Sequence, residues 1–204
     1  IQVIPGDYQV DYTALSPRWR MPNRWYNLRY NNVSIFSLDT SAIFFEEFSF
    51  LPHFAQMTED QASWLATKYN ITPPNNWRIV YGHHPYLSNG KHGNAGAYEG
   101  IPGLPAVSGD SIKDFIEANV CGQADLFING HDHNRQWHVA TCEGTQFMVS
   151  GSGAKTTDFE DTQPTHFEDD STEGFVWFEI VGDELRLQFW NKLGVMEYEV
   201  GWSK

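Results

Sequence analysis

Residues 77–93, WRIVYGHHPYLSNGKHG, place three histidines and three glycines in seventeen positions, directly after a short apolar run. WRIVYG has the length and composition of a buried strand that ends in glycine. Glycine lets a chain turn sharply without a Cβ, so His83 is expected to point at whatever lies beyond the strand end. On the N-terminal side, TEDQASWLATKYN (58–70) predicts an amphipathic helix. Thr58 and Gln61 read as a capping-box pair, Ala62, Leu65, Ala66 and Tyr69 share one face, and Pro73 and Pro74 stop it. On the C-terminal side, a Gly/Pro-rich loop runs from about 86 to 109, and a second helix starts at Asp110 or Ser111. ADLFING (124–130) follows as another apolar run ending in glycine. A helix between two such strands is the βαβ pattern and predicts a mostly parallel sheet.

The second strand runs directly into HDHNRQWH, so VYG-HH and ING-HDH share one design: apolar strand, glycine, histidine. Ligands of open α/β sheets gather at the carboxyl ends of the strands, which would bring His83, His131 and His133 to a common rim. In an extended segment alternate residues face one side, so His131 and His133 can reach one centre or two adjacent ones. Imidazole is a ligand for Zn, Fe, Mn, Cu and Ni. A single histidine of this kind reads as a solvated loop or core residue; two glycine-histidine strand ends in one chain read as a metal site.

Elsewhere, SPRWRMPNRW reads as an ordered surface loop, and WYNLRY, NN and VSIFSLDT as strand, tight turn and strand, with Asp39 at the end. From residue 145 onward the signals are all strand: TQFMVSG, FVWFEIV, ELRLQFW and VMEYEV, with VGDE and NKLG as hairpin turns. Without repeats or a flexible linker, residues 1–204 read as one domain of mixed α and β character. An apolar content of 41% and an aromatic content of 15% place the chain far from disorder. The formal net charge of −13 argues against nucleic acid or an anionic membrane as partner. A small phosphorylated substrate still fits, because a bound metal reverses the local field. No apolar run reaches the length of a membrane span, and the opening residues read as mature sequence without a leader.

Cys121 and Cys142 are the only cysteines. They flank the predicted strands 124–130 and 136–141, which would bring the thiols together if antiparallel. A structural disulfide, and with it an oxidising compartment, is the favoured reading. Two buried thiols, metal ligation and a nucleophile are the alternatives.

GHHP and GHDH, with 47 residues between His83 and His131, resemble the C-terminal motifs of the calcineurin-like metallophosphoesterases. The match is closer to their purple and tartrate-resistant acid phosphatase branch, and it extends to SPRWRMPNRWYNL, VSIFSLDT, the 58–70 helix, SNGKHG and VSGSGAK. The resemblance implies an α/β (α+β) fold, a β-sandwich flanked by helices. It implies a phosphomonoester hydrolase whose binuclear centre, Fe with Fe, Zn or Mn, carries hydroxide as nucleophile. Residue by residue, His83 and His131 match ligands of one metal, His133 matches a ligand of the other, and His92 matches the histidine that contacts phosphate or the leaving group. No role transfers to His84, which is expected to support the ligands from behind or to pack. Asn134 is expected to orient a ligand through a hydrogen bond. The disulfide reading of Cys121 and Cys142 implies a secreted, periplasmic or extracytoplasmic protein. A phosphodiesterase or nucleotide-cleaving relative, and a non-catalytic scaffold that keeps the fold, are the alternatives.

The family's N-terminal half supplies an Asp-bearing strand end, a bridging Asp in a GD motif, and Asn and His in GNHD; none is intact here. VIPGDYQVDY (3–12) is the nearest remnant, which leaves Asp7 a weak candidate ligand, as Asp39 is. Either the early strands lie outside this chain, or residues between Gly6 and Gln9 are absent, or the chain is a degenerate homologue; the strand-like IQVIPG favours the first two. On the fragment reading the missing N-terminal segment is itself a partner, and the 204-residue chain alone is expected to be inactive. His53 and His138, set among aromatics, are expected to pack. Residues 158–174, with seven carboxylates and His166, read as a solvated acidic loop, with calcium binding or a substrate-facing lip as alternatives. Tyr98 and Glu99 are placed to shape a pocket.

Overall fold

The computed structural model describes residues 2–5, 22–47, 52–98 and 107–204. Eight strands form one sheet in the order β1-β2-β3-β4-β5-β7-β6-β8. They are β1 (Gln2–Pro5), β2 (Tyr26–Tyr30), β3 (Val33–Ser37), β4 (Trp77–Tyr81), β5 (Leu126–Asn129), β6 (Arg135–His138), β7 (Gln146–Ser150) and β8 (Thr165–Asp169). The centre is parallel, β3 with β4, β4 with β5 and β5 with β7. Antiparallel strands flank it on both sides. Strands β9 (Gly174–Val181), β10 (Glu184–Asn191) and β11 (Met196–Ser203) make a separate antiparallel sheet. Its turns use Gly182 (φ 60°) and Gly194 (φ 75°), where left-handed backbone favours glycine, as VGDE and NKLG predicted.

Strand alternation builds two cores. Phe36, Val80, Phe127 and Phe147 point to one face and pack under helices α1 (Thr40–Phe45), α2 (Pro52–Asn70) and α3 (Asp110–Asn119). Trp77, Leu126, Trp137 and Met148 point to the other and meet Leu185, Leu187 and Phe189 of the small sheet. Each such side chain fully withdrawn from water contributes about 1.5–3 kcal/mol. The result is helices, large sheet and small sheet in layers, the sandwich with flanking helices that the resemblance implies.

Three expectations are corrected. Helix α2 runs over Pro52–Asn70, so Thr58 lies inside it and donates to the Phe54 carbonyl, while Gln61 is spent on Asp39; neither caps. Its buried face is Met57, Gln61, Trp64, Leu65 and Tyr69, with Ala66 exposed, because the larger side chains turn inward. Strands β5 and β6 do not pair, since β7 lies between them. Cys121 and Cys142 are nonetheless bonded, with Cα atoms 5.2 Å apart. Thr145 brings them together: its Oγ1 donates to the Ala124 carbonyl and accepts from the Gly122 N–H, tying the turn before β7 to the turn after α3. Finally, part of the acidic segment 158–174 is β8, an edge strand on β6. Among the described residues no helix is long and apolar enough to cross a membrane.

Candidate metal centre

Parallel β3, β4, β5 and β7 all end on one rim, and Thr40, His83, His131 and Ser152 follow those ends. The Gly130 N–H donates to the His83 carbonyl (3.2 Å), locking the two histidine loops side by side. Across this junction His83 Nε2 and His131 Nδ1 stand 2.9 Å apart. His84 completes a set of three whose ring nitrogens lie within 4.8 Å of one another. His92 stacks obliquely on His131, ring centroids 4.2 Å apart.

His131 holds φ at 69°, left-handed backbone that is uncommon for a side chain of its size. Residues 131–134 are therefore a bend and not the extended segment expected. The three clustered rings are His83, His84 and His131, so His84, for which no role was expected, stands among them. His133 remains close enough to act electrostatically on His83 and His131.

Burial first, and then the neighbouring imidazoles, push the His131 ring down to about 3 and the His84 ring to about 4. His83 is lowered for the same reasons. His133 is lowered by desolvation and by Lys155. At neutral pH the cluster is thus uncharged and has lone pairs to offer.

The supporting residues were not all legible. Thr40 Oγ1 accepts the backbone N–H groups of His83 (3.0 Å) and His84 (3.2 Å) and lies 3.0 Å from His84 Nδ1. Asp132, fully buried between His131 and His133, accepts the Ser88 hydroxyl (2.5 Å) and the His92 N–H (3.0 Å), so it clasps the loop that carries His92. Gln136 continues this network to Ser88, Asn134 and the Asn89 N–H. Asn134 accepts from Gln136 at Oδ1 and from the Gly151 N–H at its backbone carbonyl. Asp39 caps α1 at the Ala42 N–H and pairs with Arg24 at 2.8 Å. Asp7 and Glu99 lie outside the described residues. Tyr98 is buried and donates to the Pro85 carbonyl. His53 is exposed against Phe54, whereas His138 is fully buried with neither ring nitrogen hydrogen-bonded.

No family model matches the chain. Purple acid phosphatase 3 of Arabidopsis thaliana is 28% identical over 216 residues, covering 92% of this chain and 53% of that protein. Tartrate-resistant acid phosphatase type 5 of Sus scrofa is 23% identical over 206 residues, 89% of this chain and 55% of that protein. The chain is homologous to the purple and tartrate-resistant acid phosphatases. This homologue spans about half the length of the curated relatives it matches. Among solved structures, GAP50, the anchor in the inner membrane complex of Plasmodium, superposes with a TM-score of 0.65 at 20% identity, over 91% of this chain and 56% of that one. The two share a fold.

The donor set of the homologue fits a metal ion. Two nitrogens each about 2.1 Å from one ion and at right angles to each other stand about 3 Å apart. The observed pair stands at 2.9 Å. Among the described residues no carboxylate joins the three clustered rings.

Proposed function

We propose that the protein is a metal-dependent phosphomonoester hydrolase of the acid phosphatase type. The observation that carries this reading is the facing pair His83 Nε2 and His131 Nδ1 at adjacent parallel strand ends of a purple acid phosphatase homologue. His83 and His131 would hold one ion of a binuclear centre and His133 would contribute to the other, with Fe paired with Fe, Zn or Mn. Such ions supply Lewis acidity toward a phosphate oxygen and an activated water as nucleophile. The chain's own groups do the rest. Asp132 holds the His92 loop, and His92, beside His131, donates a proton to the leaving oxygen or a hydrogen bond to the developing charge. The Cys121–Cys142 bond supports a secreted, periplasmic or extracytoplasmic setting.

Residues 1–204 on this reading are one incomplete catalytic domain, whose partner is the N-terminal remainder of the same domain. An apolar groove of about 420 Å³ supports this. Leu28, Ile35, Ile79, Ile128 and Phe178 line it, and it reaches Gly82 and Gly130, the glycines before His83 and His131. Asn129 also lines it, with a buried Oδ1 that has no hydrogen-bond partner. We infer that the remaining strands cover this groove and carry the anionic ligands. The same groups serve a diester as well as a monoester, so a phosphodiesterase is the alternative within this chemistry. A non-catalytic scaffold is the second reading, favoured by the fold shared with a Plasmodium anchor protein.

The test is metal content together with hydrolysis of p-nitrophenyl phosphate and of its bis-ester by the full-length protein. His131→Ala is expected to remove bound metal and to lower turnover at least about 100-fold. Unchanged activity in that variant overturns the enzyme mechanism; metal-free, inactive wild-type protein supports the scaffold.

A further inference from the structure

His84 belongs to the cluster, yet its hydrogen bonds distinguish it from His83 and His131. A hydroxyl oxygen has two lone pairs and one proton. At Thr40 both lone pairs are taken, by the N–H groups of His83 and His84. The contact of 3.0 Å to His84 Nδ1 can then be filled only by the Thr40 proton, so Nδ1 accepts. An imidazole whose Nδ1 accepts is neutral and carries its proton on Nε2. The ring cannot swing to exchange the two nitrogens easily, because it lies flat on Phe44, centroids 5.1 Å apart and planes at 7°, with the residue 7% exposed.

We propose that Thr40 locks His84 in its Nε2–H form and that His84 thereby serves as a neutral hydrogen-bond donor to a tetrahedral oxyanion at the His83/His131 site, not as a metal ligand. Thr40 is the positioning residue. A lone pair at His84 would compete for the ion; a fixed N–H, on a ring that has one nitrogen within 4.8 Å of the His83 and His131 nitrogens, suits an anion's oxygen instead. The inference rests on the phosphatase reading for the site's occupant; the tautomer itself does not.

Nitrogen-15 spectra of histidine in the metal-free full-length protein are expected to show an acceptor-type Nδ1 and a protonated Nε2 for His84. Thr40→Val should lose this signature, and Thr40→Ser, which keeps the hydroxyl, should retain it. In metal-loaded protein, His84→Phe preserves the ring on Phe44 and removes the donor. It should weaken orthophosphate binding by about 10-fold or more, the range for losing a hydrogen bond to an ionised group, while Zn²⁺ affinity changes less than about 2-fold. A protonated Nδ1 in the wild type overturns the proposal, as does a loss of Zn²⁺ affinity in His84→Phe equal to that in His131→Ala. Unaltered orthophosphate binding in His84→Phe overturns the donor role. If His131→Ala leaves Zn²⁺ binding intact, the metal reading fails instead, and the tautomer of the metal-free protein still decides whether Thr40 positions His84.

Discussion

Gly151 lies beneath the second histidine loop, and a Cβ placed there would stand 1.8 Å from the Asp132 carbonyl oxygen. Backbone cannot yield as a flexible side-chain tip does. Gly151→Ala is therefore expected to destabilise the protein by about 1–3 kcal/mol and to weaken metal binding, read by urea denaturation and by metal content. Asp132 acts at the same scale through hydrogen bonds. Asp132→Ala releases Ser88 and the His92 N–H, so turnover should fall while Zn²⁺ affinity holds; equal loss of both would show that Asp132 supports the ligands and not His92. His138 is a further residue whose environment decides its chemistry. Burial lowers its pKa to about 4, with a smaller opposing effect from Asp161. The unfolded chain then binds a proton from about pH 6.5 downward, before the folded chain does. Stability therefore declines as pH falls through that value and the loss is complete below about 4, amounting to about 3 kcal/mol for this group. His138→Leu should flatten the pH dependence of the urea midpoint across that window; an unchanged slope would assign the acid sensitivity to other groups.

At the scale of elements, short strands decide the site. β5 has four residues, and its place between β4 and β7 is set by partners distant in sequence. The disulfide shows the consequence. The pairing of Cys121 with Cys142 was legible because there are only two cysteines, but the antiparallel β5–β6 pair expected to cause it does not exist. Thr145 and the turn before β7 bring the thiols together, and a buried threonine carries no signal of that role. Replacing both cysteines by serine is expected to lower stability by about 3 kcal/mol, the usual value for closing a loop of this length. Denaturation of wild type with and without reductant checks this, and coincident curves would refute it. The start of α2 was likewise misread, because Thr58 and Gln61 have capping-box spacing but Pro52 already opens the helix.

Across the whole molecule, Arg135 fastens the layers. It is fully buried, pairs with Asp169 of β8 and Glu197 of β11 at 2.6 Å each, and donates to the Trp190 carbonyl. Arg135→Ala leaves two carboxylates without their cation and should cost about 3–5 kcal/mol, read by thermal or chemical unfolding. The uncovered groove belongs to the same scale. If the remaining strands of the domain lie there, residues 1–204 alone should bind an apolar dye such as ANS more strongly than the full-length protein does; equal binding would put the groove's cover elsewhere.

Local pattern was sufficient for two glycine-histidine strand ends, the helix between them and the hairpins, because each is a matter of residue type at short spacing. Tertiary structure alone decided that His84 joins His83 and His131, since its ring is brought to theirs only once the two strand ends lie side by side. It also decided the work of Thr40 and Asp132. Both act through hydrogen bonds to loops more than forty positions away, reached only once parallel strands bring their carboxyl ends to one rim.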